Sequence, residues 1–390
     1  MGAYDTAYFD RPIGRDRSDS VKWTQFGPDV IPLWIADMDF PACDEIVQAL
    51  TARAQEGCYG YARDSQAAIQ AMIDYHRRLY GWEIDPDWVV PQPGVVTALN
   101  LFCRLLRDVR PDRSDVFINE PVYHHFMSAA QLQHVRERRL ALRPFGEPLP
   151  EGLESIDARG AGGWMLCNPQ NPLGHLWTRA ELTRILDYAA AHDLLLASDE
   201  IHGGLVLDAP HAYLPLLSLA RSDAERRRLI AFVAPSKTWN VPGLGCAFAI
   251  VPDPALREHF TRNYDQLIPA VNLFGWVGAE AAYRHGEPWR LAMLAYLRRN
   301  RALLEAFAEA HGLPLCRLEA TYLGFLDCRA LAPTLGGESP RDFFLRVAKV
   351  ALHDGAIFGS PGWVRINIAT HTDLLRRALD RMADALATLA

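Results

Sequence analysis

No apolar run in this chain approaches the roughly 18 residues of a membrane helix, and Met1 to Asp10 is polar, without the apolar centre of a secretory signal. Neither membrane insertion nor secretion is expected. The seven cysteines stand apart at positions 43, 58, 103, 167, 246, 316 and 328, with no CxxC pair and no Cys/His cluster of zinc spacing. They read as reduced thiols, mostly in the core, which points to the cytoplasm and to no bound metal. There is no Walker A run, and no GxGxxG follows a strand, so nucleotide binding has no motif behind it. Excess positive charge is also missing. The net charge of −7 gives nucleic acid and anionic membranes no overall attraction. A small charged metabolite is the partner that remains.

What is present is an ordinary globular composition, 49% hydrophobic and 22% charged, over 390 residues, enough for about two or three domains. From about 94 to 266, helical patterns alternate with short apolar runs. The reading is helix Val95–Asp108, strand Asp115–Asn119, helix Tyr123–His134, strand Gly163–Leu166, helix Arg179–His192 and strand Leu194–Ser198. Strands Leu229–Val233 and Cys246–Val251 and a helix near Pro254–Gln266 extend it. This is the βα alternation of a mostly parallel sheet covered by helices on both faces, a three-layer α/β/α unit. Thr178-Arg179-Ala180-Glu181 is a candidate capping box. A long helical pattern over Glu287–His311 bridges to a smaller α/β unit, with strand-like Leu315–Glu319 and Leu323–Asp327, helix Pro340–Leu352, strand Trp363–Ala369 and helix Thr372–Leu389. The expected division is an arm over 1–45 that shares in the small domain, a large domain over 46–284 and a small carboxyl-terminal domain over 285–390.

In open parallel sheets ligands sit beyond the carboxyl ends of the strands, and several polar motifs here fall at such ends. Asp199 follows one apolar run and Lys237, in Pro235-Ser236-Lys237-Thr238, follows another. A lysine amine can hold the aldehyde of pyridoxal phosphate, and a carboxylate can keep its pyridine nitrogen protonated so that the ring accepts electrons. Asn168-Pro169-Gln170-Asn171-Pro172 follows a third run; alone it is a turn, and beside Asp199 and Lys237 it belongs to the same pocket. Gln92-Pro93-Gly94-Val95-Val96 opens a helix whose free N–H groups suit a phosphate. Tyr123 is either a core tyrosine or a ring that stacks on the pyridine. Arg365 lies inside an apolar strand and needs a partner, either an internal carboxylate or the carboxylate of a substrate.

Taken together, these motifs resemble the fold type I pyridoxal-phosphate enzymes of the class I/II aminotransferase superfamily, and more narrowly their cystathionine β-lyase, or C–S lyase, branch. The resemblance runs over nearly the whole chain. It rests on Ser20-Val21-Lys22-Trp23, Pro32-Leu33-Trp34-Ile35-Ala36-Asp37-Met38-Asp39-Phe40, Tyr59-Gly60-Tyr61, Tyr80-Gly81-Trp82, Asp199-Glu200-Ile201-His202 and Pro235-Ser236-Lys237-Thr238-Trp239-Asn240. It implies pyridoxal 5′-phosphate as cofactor, with Lys237 as the Schiff-base lysine and Asp199 as the partner of the pyridinium nitrogen. It implies Asn171 on the phenolic oxygen, His202 where many aminotransferases use a tyrosine, and Tyr123 stacked on the ring. The amides of Val95 and Val96, with Ser236, would hold the phosphate, and Tyr61 would reach it from the neighbouring subunit of a homodimer. Arg365 would take the substrate carboxylate, with Trp34, Ala36 and Asn171 beside it.

Departures from the pattern bear on the reaction. Ala234 and Gly245 stand where many aminotransferases have a phosphate-binding serine and arginine, which argues against an aspartate-type aminotransferase. Gly204 stands where the lyase branch commonly has Asp, and His124-His125 follow Tyr123 where a proline is usual. The implied reaction is β-elimination from L-cystathionine or another cysteine S-conjugate to pyruvate, ammonia and a thiol. Amino-acid transamination begins from the same carbanion and is the alternative. A regulatory protein-binding role on the same fold is a further one.

Overall fold

The computed structural model describes residues 4–11, 13–150, 152–209, 212–264 and 267–389. Its strands in chain order are β1 (Ile31–Pro32), β2 (Val89–Gln92), β3 (Asp115–Glu120), β4 (Glu137–Ala141), β5 (Ala161–Cys167), β6 (Leu195–Asp199), β7 (Leu229–Val233), β8 (Ala247–Ile250), β9 (Leu323–Asp327), β10 (Val350–Ala351), β11 (His353–Asp354) and β12 (Trp363–Asn367). Seven of them form one sheet in the order β2-β8-β7-β6-β5-β3-β4. β8 pairs antiparallel with both its neighbours, and every other pairing in the sheet is parallel. The chain is α/β, as the alternation predicts.

Successive side chains of a strand face opposite sides of the sheet, so a strand covered on both faces must be apolar throughout. β5, β6 and β7 are buried at every position. Trp164, Leu166, Leu196 and Phe248 point into one core, while Met165, Leu195, Ile230 and Phe232 point into the other, under the helix Val95–Val109. The first core is closed by the helices Gln66–Tyr80, Arg179–Ala191 and Leu273–His285. The capping box at Thr178 and Glu181 is present.

The 24-residue helix Glu287–Ala310 leads to a second, antiparallel sheet of order β11-β12-β9. The amino-terminal arm packs across it: Phe9 meets Trp289 and Tyr296 with ring centroids 5.6 Å apart in each case, and β1 pairs parallel with β10. Two expected elements are corrected here. The helix over 340–352 stops early: Pro340–Phe343 is followed by a π-helical turn, Phe344–Ala348, and Lys349 turns left-handed at φ 56°. Val350 and Ala351 are then free to pair with the arm. Leu315–Glu319 is no strand; it touches β9 only through an isolated bridge between Leu315 and Leu326. The helix expected from Tyr123 begins at His125, and Asp265 and Gln266 lie outside the described residues. Among the described residues no helix is long and apolar enough to cross a membrane.

Candidate active site

Four loops leave the carboxyl edge of the main sheet side by side, because their strands are parallel neighbours. β3 delivers Tyr123, β5 delivers Asn171, β6 ends on Asp199, and β7 runs into Ser236 and Lys237. The second sheet brings Arg365, at the centre of β12. A cavity of about 700 Å³ lies between them, and its lining includes Trp34, Ala36, Val95, Val96, Tyr123, Asn171, Asp199, His202, Ser236, Lys237 and Arg365. Every site residue suggested by the sequence reaches it except Tyr61, whose side chain is fully exposed.

Lys237 is half-buried, and its Nζ donates to the Ala36 carbonyl at 2.7 Å. Burial, with the nearby Arg365, pulls its pKa down to about 8. Asp199 is buried, and burial pushes its carboxyl up to about 7 against the opposing pull of the Ile201 N–H, which donates to it at 3.1 Å, and of Lys237. His202 Nδ1 is buried with no partner, and burial holds the ring neutral by lowering its pKa to about 3. The helix Val95–Val109 opens at Gly94 with no side-chain cap, so its first N–H groups face the cavity. A Cβ built on Gly94 would meet nothing within 4 Å.

Arg365 is 2% exposed. Its guanidinium donates to Asn171 Oδ1 at 3.1 Å and to the Trp34 carbonyl at 3.3 Å, and among the described residues its Nε has no hydrogen-bond partner. Burial lowers its pKa to about 10, and the groups that oppose this are the hydroxyls of Tyr123 and Tyr322, not a carboxylate. A buried guanidinium held only by neutral oxygens is a site short of one anion.

Sequence reasoning missed what holds the Ile35–Phe40 segment. Asn240 donates to the carbonyls of Met38 and Phe40 at 3.0 and 2.9 Å, Asn367 donates to those of Ile35 and Asp37 at 2.7 and 2.6 Å, and Tyr322 donates to that of Ala36 at 3.0 Å. Arg15 and the fully buried Lys22 pair with Asp37 and Asp39 from the other side. The Ala36 carbonyl under Lys237 is thus held directly by Tyr322, and its flanking carbonyls are held by Asn240 and Asn367, three side chains distant in sequence. His353 was missed because the helix was drawn through 352. Cys167, Cys246 and Ile357 also line the cavity and carried no signal beyond their apolar character. The departure at Gly204 has a packing reason: a Cβ there would stand 2.5 Å from Thr238 Oγ1. The departure at Gly245 has a backbone reason as well, since its φ of +61° is left-handed.

The family model for aminotransferase class I and II matches residues 28–382. The chain belongs to that family. Cystathionine beta-lyase PatB of Bacillus subtilis is 31% identical, the match covering 95% of this chain and 98% of the relative. The solved structure of OvoB is 38% identical with a TM-score of 0.91, covering 97% of this chain and 99% of its own. Cystalysin from Treponema denticola, whose structure contains pyridoxal 5′-phosphate, is 27% identical with a TM-score of 0.90 over the full length of both chains. Within the family, then, the chain falls in the C–S lyase branch of pyridoxal-phosphate-dependent enzymes. The cavity fits that cofactor. It holds a half-buried amine, a buried carboxylate, an imidazole nitrogen unpartnered among the described residues and an uncapped helix start above an open glycine.

Proposed function

We propose that the chain is a β-eliminating lyase for L-cystathionine or related cysteine S-conjugates, converting each with one water to pyruvate, ammonia and a thiol. The observation that carries the reading is the union, in one cavity, of Lys237, Asp199 and an Arg365 that has no anionic partner. Bound pyridoxal 5′-phosphate supplies an electron sink for the pair left when the Cα–H bond breaks. Lys237 is its covalent anchor, and the amides of Val95 and Val96 with Ser236 hold the phosphate. Asp199 would hold a proton at the pyridine nitrogen, Tyr123 would stack on the ring, and Asn171 and His202 would contact it from the cavity lining. Arg365 grips the substrate carboxylate and so fixes which bond at Cα faces the base.

The free amine of Lys237 would be the base that takes the Cα proton. An amine poised near pH 8 is partly unprotonated at neutral pH and still basic enough to act. The Cβ–S bond then breaks, and the thiolate leaves. The substrate enters a site whose second layer, Asn240, Asn367 and Tyr322, keeps the Ala36 carbonyl in place as the amine's resting partner. We further read residues 46–284 as the large domain, 285–390 as the small one with 1–45 as its arm, and the working unit as a homodimer in which Tyr61 crosses to the partner's phosphate site. Its exposure supports that role. Incubating the loaded protein with L-cystathionine and measuring pyruvate, against keto-acid-dependent amino transfer in the same preparation, tests the reaction. Amino transfer without pyruvate would overturn it.

A further inference from the structure

One wall of the cavity carries three imidazoles, His124, His125 and His353, that have no part in the roles above. His353 and Arg365 are directly opposite partners on the antiparallel strands β11 and β12, and such pairs share a face of the sheet. Around His353 the ring centroids of Phe358, Trp34 and His124 lie at 5.3, 5.9 and 6.4 Å. His124 in turn is 4.3 Å from His125 and 4.8 Å from Tyr123. Trp34, His124, His125 and His353 all line the cavity, so the wall runs from the arginine to the tyrosine. Burial lowers the pKa of all three imidazoles, most at His353 and His124, to about 3 and about 4. They are neutral rings at physiological pH. His124 Nδ1 is buried without a partner. The charged side chains on the lining are Asp199, Lys237 and Arg365, each of which has a role above.

We propose that Trp34, His124 and His353 form the seat of the sulfur substituent, and that they select cysteine S-conjugates with a neutral aromatic substituent over the zwitterionic L-cystathionine. The proposal rests on the C–S lyase reading and names its substrate class. A substrate carboxylate held by Arg365 sets its side chain beside His353, the cross-strand neighbour. A planar ring there gains edge and offset contacts with three aromatic partners. The distal ammonium and carboxylate of cystathionine would lose water against a wall lined by this chain's neutral rings, where the charge behind His353 is Arg341, already paired with Asp342. The chemistry is unchanged: Cα–H and Cβ–S break, the aryl thiol leaves, and water completes pyruvate and ammonia.

The test compares S-phenyl-L-cysteine, S-methyl-L-cysteine and L-cystathionine on the holoenzyme, its His124→Ala and His353→Ala variants, and His353→Phe as a control that keeps a ring. The ratio of kcat/KM for the phenyl over the methyl substrate should fall roughly three- to tenfold in each alanine variant, the size of an aromatic pair contact, and hold in His353→Phe. Comparing ratios between variants cancels the intrinsic reactivity of the thiol. Binding of 3-(phenylthio)propanoate against 3-(methylthio)propanoate, measured by calorimetry, reads the seat without turnover, because neither has an amine. Wild type should prefer the phenyl compound and the alanine variants should lose that preference. Unchanged ratios in both alanine variants, or a higher kcat/KM for L-cystathionine than for the phenyl substrate in wild type, would overturn the assignment. If no substrate yields pyruvate, it is the lyase reading that fails, and the calorimetric preference decides the seat by itself.

Discussion

Replacing Arg365 with lysine keeps a positive charge in the cavity and removes the planar fork that can meet a carboxylate at two points. The site is 2% exposed, so salt screens it little and the lost contact cannot be replaced by bulk water. A hydrogen bond to a charged group contributes about 1.5–3 kcal/mol, and losing one of two should lower kcat/KM roughly 10- to 150-fold. A second consequence lies on the protein side. Asn171 Oδ1 and the Trp34 carbonyl, which two separate guanidinium nitrogens now satisfy at 3.1 and 3.3 Å, would have to share one ammonium nitrogen. The assay is steady-state pyruvate formation from a cysteine S-conjugate, with the absorbance of the bound cofactor and the thermal midpoint recorded for the same variant. The cofactor spectrum should be unchanged. A parallel measurement with the corresponding S-substituted cysteamine, which has no carboxylate, separates the two readings of this arginine. If Arg365 grips the carboxylate, the variant should bind that amine as wild type does. An unchanged kcat/KM for the amino acid, or an equal loss of affinity for the decarboxylated amine, would refute the argument and leave Arg365 a structural residue.

Lys237→Ala protein loaded with pyridoxal 5′-phosphate should release it in denaturant after borohydride treatment, whereas treated wild type keeps it; retention in the variant would move the anchor to another lysine. Asp199→Asn should nearly stop exchange of the Cα proton, and it should also stabilise the cofactor-free protein. In the folded apo chain the carboxyl titrates near 7, above the usual value of about 4, so its penalty is absent below pH 4, grows as pH rises and is complete above pH 7. The melting temperature of the Asn variant minus that of wild type should therefore rise between pH 5 and pH 7.5, and a constant difference would sink the assignment. Tyr61→Phe and Lys237→Ala chains, each weak alone, should recover activity when mixed if Tyr61 serves its partner's site, since one site of a hybrid dimer then carries neither defect; no recovery by two weak variants would place Tyr61 in its own chain's site.

The buried strands were legible because each is apolar throughout and ends on a polar residue. Leu229–Val233 and Leu323–Asp327 fall where the sequence puts them. Edge strands were not. β4 reads Glu-Arg-Arg-Leu-Ala because only Leu140 among its five residues is buried, and no apolar rhythm marks it. The short strands β1 and β10 are set by pairing with each other across more than three hundred residues of chain, which no local window contains, and the two residues of β11 are set only by their pairing with β12. The same distinction runs through the site. Lys237, Asp199 and Asn171 sit just past or at the ends of strong strands, and the parallel order of β5, β6 and β7 brings them together once the strands are read correctly. The groups that come from tertiary pairing alone, His353 opposite Arg365 and the carbonyl of Ala36 under Lys237, had no comparable signal.

That division has a physical cause in how the cavity is built. Burial acts against each of its ionisable groups, raising Asp199 and lowering Lys237, His202 and Arg365. Such groups are tolerated without their ligands only because the surrounding scaffold is held independently of them. Here the scaffold is the pair of apolar cores on either side of the main sheet, together with the Arg15, Lys22, Asp37 and Asp39 cluster and the three side chains that fix the Ile35–Phe40 carbonyls. In the proposed reaction the cofactor and the substrate carboxylate would supply the missing charges, a protonated ring nitrogen for Asp199 and an anion for Arg365. Binding should therefore shift both pKa values back toward ordinary ones, and the stabilisation gained through Asp199 should be largest above about pH 7, where its penalty in the apo chain is complete. A cofactor-induced rise in melting temperature that is no larger there than at pH 5 would mean that the strain on these groups is not what the ligand relieves.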